Sequence, residues 1–169
     1  VQFSEGFPGV TVEGDRIWVD CSRDLSKPLE KLYAAYLENR LEHGAIDAKY
    51  VSGFHTFLKE ARKKEIKAVK GQVTGPISFG LSVTDQNRRP LLYDDVLADA
   101  LAKHLRLKAA WQEKTLKGVF PNTIISLDEP YLSSVGSAFV SLQREQIVNL
   151  IEEVLGGISG LKAIHCCGN

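Results

Sequence analysis

Hydrophobic spacing changes character along the chain, and the changes divide it into elements. Residues 9–21, GVTVEGDRIWVDC, hold two runs of alternating apolar and polar positions around Glu13-Gly14-Asp15, which predicts a β-hairpin. Over 28–42 the spacing becomes helical, with Leu29, Leu32, Tyr33, Tyr36 and Leu37 on one stripe, Pro28 in the first turn and Gly44 just beyond the end. Residues 48–63 repeat that character through Tyr50, Val51, Phe54, Phe57 and Leu58, ending in the basic run Arg62-Lys63-Lys64. From 66 onward the pattern predicts strand 66–76, helix 93–117, strand 122–130, helix 141–157 capped by Ser141, and strand 161–169. Strand, helix, strand, helix, strand is the rhythm of a parallel α/β sheet or barrel. TDQNRRP, residues 84–90, reads as a surface loop.

Successive strand residues point to opposite faces, so parity sorts the three later strands. Val69, Gly71 and Val73 oppose Lys70, Gln72 and Thr74. Thr123, Ile125 and Leu127 oppose Ile124, Ser126 and Asp128. Ile164 and Cys166 oppose Ala163, His165 and Cys167. Each strand is expected to turn an apolar face to a helix layer and to become polar on the other face near its C-terminal end. Parallel α/β folds place their sites at that end.

Composition adds exclusions. With 44% hydrophobic and 25% charged residues the chain is an ordinary globular protein, and its formal net charge of zero gives no electrostatic footprint for nucleic acid or an anionic membrane. No apolar run approaches the roughly 18 residues of a membrane span, and no signal-peptide pattern opens the sequence. The 3 cysteines, Cys21, Cys166 and Cys167, are few and odd in number, which favours a reducing, cytoplasmic compartment over a disulfide framework.

Candidate chemistry gathers at the strand ends. His165 and Cys167 are two apart and project side by side, and imidazole and thiolate are preferred zinc ligands. Cys166 points away and is expected to be a small buried residue. Asp128 follows Ser126 on the polar face and Glu129 and Pro130 come next; a carboxylate there can bind a substrate amine or orient a metal ligand. Gly71, Gly75 and Pro76 allow either close backbone approach to a ligand or a tight strand-to-helix turn. His104 shares a stripe with Val96, Ala100, Leu107 and Trp111 and reads as a core or boundary histidine. His43 and His55 carry no assignment.

GQVTGP, LDEP and HCCGN, in this order, resemble the catalytic domain of cobalamin-independent methionine synthase and the wider superfamily it shares with uroporphyrinogen decarboxylase and zinc-dependent corrinoid methyltransferases. The resemblance covers roughly 66–169; the first 65 residues fit a bacterial branch other than methionine synthase itself. It implies an α/β fold, a partial (β/α)8 TIM barrel with an N-terminal hairpin and helices, in which 1–169 is an internal part of a single barrel domain: 1–65 the hairpin and two helices, 66–169 the βαβαβ core. A complete barrel takes about 250 residues. His165 and Cys167 would be zinc ligands, Asp128, with Glu129, the catalytic carboxylates that hold a substrate amine, and Gln72, Thr74, Gly75 and Ser126 substrate-binding positions. The implied activity is zinc-dependent methyl transfer to a small thiol such as homocysteine, from a folate or a corrinoid protein. Two ligands leave the zinc site incomplete, so the chain alone is expected to bind zinc weakly and not to turn over. Its open strand edges make a homodimer an expectation. The alternatives are a metal-independent decarboxylase of the uroporphyrinogen type, for which Arg88 and Arg89 are the available cations, and a non-catalytic or thiol-redox protein.

Overall fold

The hairpin forms where alternation places it. Strands β1 (Val10–Glu13) and β2 (Arg16–Val19) pair antiparallel, Val10 opposite Val19 and Glu13 opposite Arg16. The computed structural model describes residues 1–14, 16–137 and 140–167. Asp15 of the hairpin turn and Gly168 and Asn169 at the end of the last predicted strand lie outside the described residues. Helix α1 (Ser26–Leu37) buries Leu32 and Ala35, whereas Leu37 is 79% exposed, because the helix ends there and Asn39 reverses the chain with φ 50°. Helix α2 (Ser52–Ala61) is shorter than its hydrophobic spacing; Asp47 caps a separate 3-10 turn at Ala48–Tyr50 and breaks the run.

The remaining elements are β3 (Val69–Thr74), α3 (Pro76–Ser82), β4 (Thr84–Asp85), α4 (Asp95–Lys117), β5 (Thr123–Asp128), α5 (Arg144–Leu155) and β6 (Leu161–His165). Two were not expected. Helix α3 starts directly behind Gly75, with Pro76 in its first turn, where a rigid φ and a missing N–H suit a helix start. Strand β4 takes the first two residues of the expected surface loop and adds to β2 in parallel, Trp18 opposite Thr84. Ser141 is not the cap of α5; that helix begins at Arg144 behind Gln143, with no side-chain cap. Helix α4 is capped by Asp94, whose carboxylate accepts from the N–H groups of Val96 and Leu97 at 3.1 and 3.0 Å. Asp94→Ala should lower stability by about 1 kcal/mol, read as an earlier denaturant midpoint at unchanged slope.

The fold is mixed α/β, with five helices and two three-stranded sheets, β1-β2-β4 and β3-β5-β6, and no closed barrel among the described residues. The second sheet is all parallel. Its register aligns Gln72 with Ser126 and Ala163, and Thr74 with Asp128 and His165. Helix α4 lies across β3 and β5, with Leu101, Leu105 and Leu116 fully buried. Gly71 serves this packing: a Cβ there would collide with the side chains of Gln112, Leu116 and Ile125. Its role is helix–sheet contact, not the approach of a ligand. Glu113 fixes the entry of β6, accepting from the N–H groups of Ser159 at 2.8 Å and Gly160 at 2.5 Å.

Strand β6 departs from the expected two-faced pattern. Ile164 is 47% exposed and Leu161 64%, and Cys166, expected to be buried, is exposed. Edge position explains this: β6 pairs only with β5, and no described helix covers its flank. No helix among the described residues is long and apolar enough to cross a membrane.

Candidate functional site

Parallel pairing sets three polar side chains abreast at the C-terminal end of the second sheet. Thr74, Asp128 and His165 occupy one register row on one face; in the row before it Val73 and Leu127 are buried under α4, while Ile164, on the uncovered edge strand, is exposed. His165 Nδ1 stands 3.9 Å from Asp128 Oδ1, and that oxygen is buried without a hydrogen-bond partner. One row below, Gln72 is exposed and Ser126 is buried at 1% exposure. Thr74 and Asp128 open onto a cleft of about 460 Å3, walled by Ser78, Phe79 and Ser82 of α3, by Tyr131, and by Phe3 and Ile17 from the N-terminal part of the chain.

Glu129 has a different place from its neighbour. It is fully buried, and its two carboxylate oxygens accept from the N–H groups of Ile77 and Ser78 at 2.9 and 2.7 Å. The N–H of Tyr131 in turn donates to Ser78 Oγ at 3.1 Å. Burial pushes the Glu129 carboxyl above its ordinary value, and the hydrogen bonds from Ser78 and Ile77 pull the other way. Gly75 is held to glycine by this carboxylate, since a Cβ there would sit well inside van der Waals contact with it. The Gly-Pro and Asp-Glu-Pro stretches are therefore one assembly: Glu129 ties the end of β5 to the start of α3, and α3 supplies one wall of the cleft.

Of the residues picked from sequence, Thr74 and Asp128 meet in the cleft and His165 stands beside Asp128. Gln72 and Ser126 lie in the neighbouring row outside the lining, and Gly75 and Glu129 support it from behind. Strand pairing ends at His165, so Cys167 lies two residues beyond the ladder, exposed. Among the described residues no three His, Cys, Asp or Glu side chains converge as a metal cluster. All three cysteines are free. Arg88 and Arg89 do not line the cleft; the exposed Arg89 guanidinium donates to the Tyr93 carbonyl, and the backbone N–H of Arg89 donates to Asp85 Oδ1 at 2.8 Å. His104 is buried in the core, as its stripe predicted.

Sequence reading missed Ser78, Phe79, Ser82 and Tyr131. A usable signal was present in Gly75-Pro76, a helix start as well as a break, which would have placed the next turn of residues over the strand ends. No protein-family profile, curated protein or solved structure matches this chain.

Proposed function

We propose that the chain carries part of a zinc-dependent site for methyl transfer to a small thiol, homocysteine first, on a portion of a (β/α)8 barrel of the methionine synthase and uroporphyrinogen decarboxylase type. The observation that carries the reading is the pairing of Asp128 with His165 at the C-terminal end of a parallel sheet, beside an open cleft. A ligating histidine usually has a carboxylate behind its second ring nitrogen, and the unpartnered Asp128 Oδ1 near His165 Nδ1 supports that arrangement. His165 and Cys167 would hold the metal. Their donor atoms suit zinc, though a catalytic site takes three protein ligands and an open position.

Bound zinc would keep a thiol deprotonated at neutral pH, where a free thiol near pKa 8.5 is mostly protonated. The chain's own residues bind and orient. Asp128 steadies the imidazole or receives a substrate amine, Thr74 offers a hydroxyl at the cleft floor, and Phe3, Phe79 and Tyr131 exclude water from the opposite side. Glu129 acts as a positioning residue through α3. A folate or a corrinoid protein is the proposed donor, in the cytoplasm. The open flank of β6 supports self-association.

Zinc titrated against a chromophoric chelator should bind the chain weakly, and both His165→Ala and Cys167→Ser should abolish that binding. Asp128→Asn should weaken it by about 10–100-fold. Wild-type affinity retained in both ligand variants overturns the reading.

A further inference from the structure

Residues 1–9 touch two parts of the molecule at once. Val1, Gln2 and Phe3 wall the cleft opposite Thr74 and Asp128. The same segment is pinned to α4 by one side chain, His104, which is 0% exposed. His104 Nε2 donates to the Phe3 carbonyl at 2.9 Å, and the Phe7 ring meets the imidazole edge-on with centroids 5.4 Å apart. Gly6 and Gly9 bracket Phe7-Pro8 with φ 83° and 72°, left-handed conformations that glycine adopts freely. Glu5 braces the segment from the side, accepting from the Asp47 N–H at 2.9 Å and facing Lys49 at 3.9 Å.

The imidazole is poorly prepared to hold a second proton. Because Nε2 donates, Nδ1 carries the lone pair, and Nδ1 is buried without a partner. The charged or titratable groups around it are Lys108, one turn along α4, and His43 in the turn at 41–44; Glu5 of the segment faces Lys108. Two of the three raise the cost of another positive charge.

We propose that residues 1–9 are a strap over the cleft, latched to α4 through the Phe3 carbonyl and the Phe7 ring on His104, and that proton uptake by His104 releases the strap and opens the cleft. With the strap closed, burial first and Lys108 second hold the His104 pKa down to about 3, against 6.5 for a free imidazole. A base whose pKa is lowered in the closed state favours that state above 6.5 and loses it as pH falls toward 3. Relative to pH 7.5, the open fraction rises by about 30-fold at pH 5. His43 is also held low, by burial and by Lys108. Lys108, with a pKa of about 8, is mostly charged across that window and adds little slope. The device does not depend on the zinc reading.

Hydrogen exchange, corrected for intrinsic rates, tests it. The amides of Ser4 and Phe7 bond within the segment. They should lose protection by about 30-fold between pH 7.5 and 5 while the centre of α4 keeps its own. His104→Gln, which keeps a donor for the Phe3 carbonyl and does not titrate in this range, should flatten that response. Phe7→Ala should expose the strap already at pH 7.5. Hydroxyl-radical labelling of Phe79, 7% exposed in the cleft, should rise together with strap exchange. The proposal is overturned if the strap and α4 lose protection together, if His104→Gln keeps the wild-type pH response, if Phe7→Ala leaves strap protection unchanged, or if Phe79 labelling does not follow.

Discussion

Lys108→Met should make the protein more stable, by about 3 kcal/mol at pH 7, which raises the melting temperature by roughly 6–12 °C for a chain of this size. Lys108 is 0% exposed and its ammonium nitrogen has no hydrogen-bond partner. Burial lowers its pKa to about 8 from 10.5, against a weaker pull from Glu5. The folded state thus resists the proton that the unfolded chain holds up to 10.5. Below pH 8 the full penalty is present; it fades as pH rises from 8 to 10.5, so wild-type stability should climb through that window. Methionine keeps a long, unbranched side chain and removes the buried charge, and such replacements are neutral or stabilising when packing is kept. Thermal unfolding of both proteins at pH 7 and pH 10 is the measurement. The variant's advantage should shrink at the higher pH; an unchanged or lower melting temperature at pH 7 contradicts the account.

The second large effect lies behind the cleft. Gly75→Ala should destabilise by about 3 kcal/mol, because the new methyl overlaps the Glu129 carboxylate, which is held from the other side by Ile77 and Ser78. Glu129→Gln should cost about 2 kcal/mol, since an amide keeps one acceptor and turns an N–H toward the second backbone donor. A double-mutant cycle separates collision from chain stiffness. In a Glu129→Ala background the Gly75→Ala penalty should fall by 1 kcal/mol or more, as neighbours in contact are not additive. Equal penalties in both backgrounds would place the cost in the backbone instead.

Legibility followed the range of the signal. The hairpin, α4, α5 and the three parallel strands are long enough for period 2 or period 3.6 to show. The polar row of Thr74, Asp128 and His165 came from parity alone, because a parallel register preserves it. Helix α3 was hidden since PISFGLS is short and buries five consecutive residues from Pro76 to Gly80, leaving no amphipathic stripe to detect. Asp128 and Glu129 are chemically alike in the sequence; only the ladder's end and the two backbone donors of α3 make one a cleft residue and the other a cap. The exposure of Cys166 and Ile164 depends on whether a helix covers an edge strand, which no local pattern encodes.

Because Asp128 and His165 sit on neighbouring strands of one ladder, the spacing between their backbones is a lattice constant, about 4.8 Å. Loop exchange around the rim would change what enters and how fast, while this backbone spacing stays the same. The peptide ladder works as a ruler laid sideways across the sheet, and it keeps these two side chains in register whatever surrounds them.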